Sequence, residues 1–127
     1  MAGAVAATVS GAPSTVVALA TGVDPRQSVW AAATILRPRR PPPAGFGGLV
    51  LGGLAHLMVS AAWTAAFVAV ARRWRMTATR GAIGGLLIAA LDLGVIGRRL
   101  PAVAALRQGP QWADHVVFGA VLGRLLS

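Results

Sequence analysis

Apolar residues in this chain fall into long runs with few polar interruptions. The clearest run, Gly45–Ala71, carries no charged side chain and contains only His56, Ser60 and Thr64 as clearly polar side chains. A helix of about 20 apolar residues is long enough to cross a hydrocarbon core about 30 Å thick. The pattern therefore predicts a membrane-spanning helix over Gly45–Ala71, with the other segments arranged around it.

Three further apolar runs cover approximately residues 2–20, 77–97 and 110–126. Between the first and second runs, Gln27–Leu36 is amphipathic and too short to span, so we predict that it lies at the membrane interface. The predicted fold is all-α: a four-transmembrane-helix bundle with a short interfacial helix between helices 1 and 2. Residues 1–127 then form a single integral membrane domain.

The first run also has the features of a secretory signal. Ala18-Leu19-Ala20 looks like a signal-peptidase site, but no Lys or Arg stands near Met1, and Ser10, Pro13 and Ser14 interrupt the apolar stretch. We therefore predict a retained first helix rather than a cleaved leader. Proline lacks a backbone N–H, so this helix is expected to kink at Pro13.

Composition and charge favour the bilayer over a nucleic acid as the chain's main partner. Hydrophobic residues make up 56% of the chain and the mean hydropathy is +0.69. The net charge is +9, and the 12 basic residues are all Arg, in short clusters between apolar runs. That arrangement is typical of loops against anionic lipid headgroups. Cysteine is absent, which excludes disulfides and thiolate chemistry.

Glycines four residues apart recur in three of the predicted spans. Such pairs let two helix backbones approach closely, which is a main source of attraction between helices in lipid. Four short helices enclose little volume, so self-association or association with a membrane partner subunit is also expected. The predicted helix-packing glycines are Gly48, Gly52, Gly81, Gly85, Gly119 and Gly123.

Ionisable side chains inside the predicted spans are the candidate functional residues, because they are costly in lipid and usually face other helices. With a rise of about 1.5 Å per residue and antiparallel neighbours, they fall at similar depth. A carboxylate beside an imidazole could pass a proton. The predicted buried polar cluster consists of His56, Asp92, Asp114 and His115, with Ser14 and Ser60 at its edge.

A purely structural role for these groups stays open. Asp114 stands near the start of its predicted helix, where a negative charge is favoured by the helix dipole. Asp92 could pair with Arg98 or Arg99, or hydrogen-bond a neighbouring helix. His56 could be a neutral imidazole bonded to Ser60 or to a carbonyl.

Three functions are compatible with this pattern. The leading interpretation is a structural or accessory helix-packing membrane subunit without enzymatic activity. The alternative is a small transporter or channel with a proton or ion path through the buried His and Asp residues. The third is a membrane-embedded metal enzyme, but no ligand spacing such as His-x-x-x-His is present. We therefore assign no catalytic residue, metal or cofactor.

Several short motifs are spread along most of the chain: Ser10-Gly-x-Pro13-Ser14-Thr15, Thr21-Gly22-x-Asp24, His56-x-x-x-Ser60-x-x-Trp63, Ala90-Leu91-Asp92-Leu93-Gly94 and Gln111-x-Ala113-Asp114-His115-x-x-Phe118-Gly119. They resemble motifs of small uncharacterised bacterial four-helix integral membrane proteins. The late His115-x-x-Phe118-Gly119 is similar, more loosely, to the YagU-like membrane proteins of unknown function. The resemblance implies a multi-pass protein of the bacterial inner (plasma) membrane and implies no activity or substrate.

Overall fold

The structure is a computed structural model that describes all of residues 1–127, and it is entirely helical apart from its turns and loops. Seven α-helices follow one another along the chain. They are α1 (Ala2–Ser10), α2 (Ala12–Ala20), α3 (Arg26–Ala33), α4 (Gly45–Ala71), α5 (Ala78–Leu91), α6 (Pro101–Ala104) and α7 (Gln108–Leu125). The all-α prediction is confirmed.

Three helical segments are long and apolar enough to cross a membrane: Ala2–Ala20, Gly45–Ala71 and Ala78–Arg99. They coincide with three of the four predicted spans. The fourth predicted span is helical as α7, but its first two turns contain Gln108, Gln111, Asp114 and His115, which lower its apolar character. A four-span bundle therefore stays a prediction.

The first span is interrupted at Gly11 rather than kinked at Pro13. Helix α1 ends at Ser10 and α2 begins at Ala12, which leaves Pro13 as the second residue of α2. The missing N–H of proline costs nothing in the first turn of a helix, since that group has no partner within the helix there. The chain therefore breaks just before the proline and restarts with proline in a tolerated position.

Helices α5 and α7 form the tightest pair, and glycines make it possible. A Cβ atom at Gly81 would overlap the carbonyl oxygen of Gly119, and one at Gly119 would overlap that of Gly81. Gly85 meets the His115 carbonyl in the same way, and Gly123 meets that of Thr77. Both predicted glycine pairs thus lie on one shared interface, where no larger residue fits without moving backbone.

The third glycine pair, Gly48 and Gly52, packs against the short helix α3 and the segment after it instead of another long helix. Gly48 receives the edge of Trp30 and the carbonyl of Pro43, and Gly52 receives the carbonyl of Val29. Helix α3 therefore packs across the first third of α4, and the Trp30 indole N–H donates to the Gly45 carbonyl at 3.2 Å. The sequence predicted a short helix over Gln27–Leu36, and the structure ends it at Ala33.

The start of α3 is held by an exposed ion pair. Arg26 contacts Asp24 at 2.8 Å, and its backbone N–H donates to the same carboxylate at 2.9 Å. These hydrogen bonds, first from the Arg26 side chain and then from its backbone, hold the pKa of Asp24 below its usual 3.8. They favour the ionised form, and the contribution is small because both groups are solvated.

We expect this contribution to helix α3 to be fully present above the usual pKa of 3.8. It is lost as the pH falls through the lower, folded-state pKa, since the unfolded chain binds the proton more readily. An NMR titration of the Asp24 carboxyl carbon in detergent micelles would measure it. In Arg26→Gln the pKa should return towards 3.8. An unchanged pKa in that variant would contradict the ion pair.

Candidate functional site

Three elements bring polar side chains together in the interior of the bundle. Helix α4 supplies Trp63, α7 supplies His115, and Asp92 stands where α5 ends. The Trp63 indole N–H donates to Asp92 Oδ2 at 2.8 Å, and His115 Nε2 lies 3.5 Å from the same oxygen. The side chains of Asp92 and His115 are only 17% and 23% exposed, so water screens their interaction weakly.

The contact of the other imidazole nitrogen of His115, Nδ1, shows which ring nitrogen carries a hydrogen. Nδ1 lies 2.8 Å from the carbonyl oxygen of Gln111, one turn earlier in α7. A carbonyl oxygen only accepts, so Nδ1 carries a hydrogen and donates it. Nε2 and Asp92 Oδ2 lie 3.5 Å apart, which is within ion-pair distance when Nε2 also carries a hydrogen.

The backbone changes its hydrogen-bonding pattern at Asp92. Residues Asp92–Ile96 form a π-helical turn, and Gly97–Arg99 continue it as a 3₁₀ turn. A π-turn is a rare insertion in an α-helix and occurs often at functional sites, because it redirects a side chain relative to a regular helix. Here it coincides with the only acidic residue of the Ala78–Arg99 segment.

Asp114 contacts the start of helix α2, although its sequence position suggested a role at the start of its own helix. It is the seventh residue of α7, beyond the first turn, so the helix-start interpretation is wrong. Its Oδ1 accepts the backbone N–H of Ser14 at 2.9 Å. Ser14 is the third residue of α2, where backbone N–H groups have no partner within the helix. Asp114 thus stabilises the restart of the first span after Gly11, and the helix dipole there also favours its negative charge.

His56 lies on the inward face of α4 but is not buried. It falls on the same helical face as Ser60 and Trp63, yet its side chain is exposed. Its Nε2 lies 3.2 Å from the Ala7 carbonyl, which requires a hydrogen on Nε2. The expectation that His56 is buried is therefore wrong. The structure packs α4 mainly against α3 and leaves few contacts between α4 and the α5–α7 pair.

The predicted polar cluster is thus divided by the structure into separate contacts. Asp92 and His115 are in contact, Asp114 bonds to the backbone of Ser14, and His56 bonds to α1. Ser60 is buried at 8% exposure, and its carbonyl accepts the Thr64 hydroxyl. No three His, Asp or Glu side chains converge as ligands for one metal ion. Whether the cluster has a function stays a prediction.

Trp63 was not among the predicted candidate residues, although its indole N–H donates a hydrogen bond to Asp92. A usable signal was present: Trp63 falls seven residues after His56 on the same face, and a buried indole N–H needs an acceptor. Large aromatic residues in membrane spans are more often packing residues, so the sequence alone does not single out the Trp63 indole N–H as a donor. The acceptor is on a different helix, so spacing alone could not identify it.

Comparisons with protein-family models, with curated proteins and with solved structures found no match for this chain. The resemblance to YagU-like membrane proteins therefore stays a prediction.

Proposed function

We propose that the chain is a small multi-pass membrane protein, with α7 as the fourth span and α3 near the membrane interface, in the inner membrane of a bacterium. Many large apolar side chains on the three apolar segments are exposed, including Leu57, Met58 and Leu87. Water solvates such a surface poorly, whereas lipid tails solvate it well. The basic clusters between segments suit anionic headgroups.

Within that membrane protein, we infer that the Asp92–His115 pair exchanges a proton, as part of a small transporter or channel. The observation that supports this most directly is the 3.5 Å distance between His115 Nε2 and Asp92 Oδ2, because the Nδ1–H bond to Gln111 leaves Nε2 as the ring atom that can take up and release a proton. The exposed His56 of α4 offers a second imidazole. A carboxylate and imidazoles at one depth are the groups from which proton relays in membranes are built.

Proton flux tests this proposal. The purified chain is reconstituted into liposomes with a pH-sensitive dye inside, and an acid pulse is applied outside. We expect flux above that of empty liposomes, reduced several-fold in Asp92→Asn, which cannot hold the proton, and also reduced in His56→Ala. The matched control is Asp24→Asn, an exposed acid outside the spans, which should conduct like the parent protein. Flux equal to that of empty liposomes would contradict the proposal.

A helix-packing or accessory subunit is the second candidate, and a specific observation favours it. Three ionisable groups in the spans hydrogen-bond to a different helix: Asp92 to α4, Asp114 to α2 and His56 to α1. Hydrogen bonds of this kind join helices in lipid. Under this alternative, Asp92→Asn and His56→Ala lower the yield of folded protein, and neither variant nor the parent protein conducts protons.

A further inference from the structure

A long apolar groove runs between the C-terminal half of α4 and the length of α5. These two helices are consecutive in the chain, but they make few contacts with each other. The floor of the groove is formed by Phe67, Met76 and Ile88, which are buried at 5%, 5% and 4% exposure. Its walls are apolar side chains that remain exposed, and its volume is about 650 Å³. An exposed apolar groove of this size is typical of a binding site.

The length of the groove matches one leaflet of a bilayer. Along α5 it extends from Arg80 to Leu91, which is about 16 Å at a rise of about 1.5 Å per residue. Half of a hydrocarbon core about 30 Å thick is about 15 Å. The groove therefore extends from one membrane surface to about the middle of the core.

The groove opens to the outside of the bundle. Ile83 and Leu87 in its walls are 56% and 67% exposed. In the proposed membrane placement that outside is lipid, so a flexible hydrocarbon chain can enter the groove from the bilayer without any movement of α4 or α5.

Positive charge is concentrated at the end of the groove that opens to the membrane surface. Arg80 lines that end, and Arg72, Arg73 and Arg75 stand in the connection between α4 and α5. Arg80 Nη1 donates to the Arg75 carbonyl at 2.6 Å, which holds its guanidinium at the mouth while its other N–H groups stay free. No acidic residue occurs between residues 72 and 91. Guanidinium groups bind phosphate oxygens well.

We propose that this groove binds one acyl chain of an anionic membrane phospholipid, with the lipid phosphate against Arg80 and its neighbouring arginines. Trp74, at the same end, is 68% exposed and suits the headgroup level, where tryptophan is enriched. The bound chain fills the space between α4 and α5 and so completes their packing. The proposal rests on the proposed membrane insertion and is independent of proton exchange.

Native mass spectrometry of the full chain in detergent tests the site, with phosphatidylglycerol and phosphatidylcholine of equal acyl length as probes. We expect one phosphatidylglycerol per chain, with an apparent Kd several-fold below that of phosphatidylcholine. Arg80→Gln should raise the Kd for phosphatidylglycerol to that of phosphatidylcholine. Ala66→Phe places a larger side chain in the groove and should raise the apparent Kd of both lipids. Arg124→Gln, an exposed arginine at the same end of the bundle but outside the groove, should bind like the parent protein.

Three results would overturn the site: equal Kd values for the two lipids, the same loss in Arg124→Gln as in Arg80→Gln, or a dimer that binds no lipid. Circular dichroism of each variant shows whether it is folded, and Ala66→Phe tests the groove without altering charge. Membrane insertion is measured separately by alkaline carbonate extraction of cell membranes. A chain that is extracted contradicts the proposed membrane placement, whereas a chain that stays but shows no lipid preference contradicts only this site.

Discussion

Replacing Gly119 with alanine is expected to lower the free energy of unfolding by about 2–3 kcal/mol, the cost typical of overpacking a tight interface. A Cβ atom at this position would overlap the Gly81 carbonyl oxygen and lie 2.7 Å from the Gly85 amide nitrogen. Both obstacles are backbone, so no side chain can rotate away and α5 must move as a whole. Moving it also loosens the contacts at Gly85 and Gly123 along the same interface.

Helix propensity acts in the opposite direction and makes the result diagnostic. Alanine in a helix is more favourable than glycine by about 0.5–1 kcal/mol, so a position with open space should become more stable. Gly53, inside helix α4, has no atom within 4 Å of the new Cβ and serves as the matched control. Unfolding in mixed detergent and dodecyl sulfate micelles, followed by circular dichroism, measures both variants. Equal stability of Gly119→Ala and Gly53→Ala would mean that α5 and α7 do not meet at these glycines.

The sequence predicts the helices of this protein well because the signal is local. The bounds Gly45–Ala71 follow from an unbroken apolar run closed by arginines, and the structure has the same bounds. Glycine spacing also pointed to close approach at all six positions, since only a residue without a side chain lets backbones touch. Spacing does not say which helices touch, however. Gly48 and Gly52 receive the short helix α3, and no local pattern distinguishes that from a contact between spans.

The candidate site was less predictable, because it depends on contacts between residues far apart in the chain. Depth counting brought Asp92 and His115 to one level, but it could not detect the π-turn that begins at Asp92. The predicted burial of His56 was also wrong. The small number of contacts between α4 and α5 leaves the apolar groove open. Such a separation depends on tertiary packing, which hydrophobic periodicity does not encode.

A single arrangement explains both the rigid and the open parts of the molecule. Glycine contacts join α5 tightly to α7, and α1 and α2 pack on α7. Helix α4 contacts this core through the Trp63–Asp92 and His56–Ala7 hydrogen bonds and through the edge-to-face contact of Phe67 with Phe118 at 6.5 Å. Its close backbone packing is with α3 instead. The Trp63–Asp92 bond is therefore expected to contribute to the stability of the bundle.

Asp92→Ala is accordingly expected to lower the free energy of unfolding by about 2–3 kcal/mol. The substitution removes the acceptor of the Trp63 N–H and the partner of His115 Nε2 in one step. Removing one member of a fully buried ion pair costs about 3–5 kcal/mol, and leaving a buried donor unpaired costs about 1–3 kcal/mol. The expected loss is smaller than that of breaking a fully buried ion pair because Asp92 and His115 keep 17% and 23% of their side-chain surface exposed.

Asp92→Asn separates the structural contribution of this residue from its charge. The amide oxygen can still accept the Trp63 N–H, so we expect roughly half of the lost stability to return, close to the value of one neutral hydrogen bond of about 1 kcal/mol. The amide cannot hold a proton, so proton flux should stay low in both variants. Asp24→Asn, an exposed acid outside the spans, should change neither quantity appreciably. If Asp92→Ala were as stable as the parent protein, the Trp63–Asp92–His115 contact would not hold α4 to the bundle. If Asp92→Asn conducted protons like the parent protein, Asp92 would have no role in proton transfer.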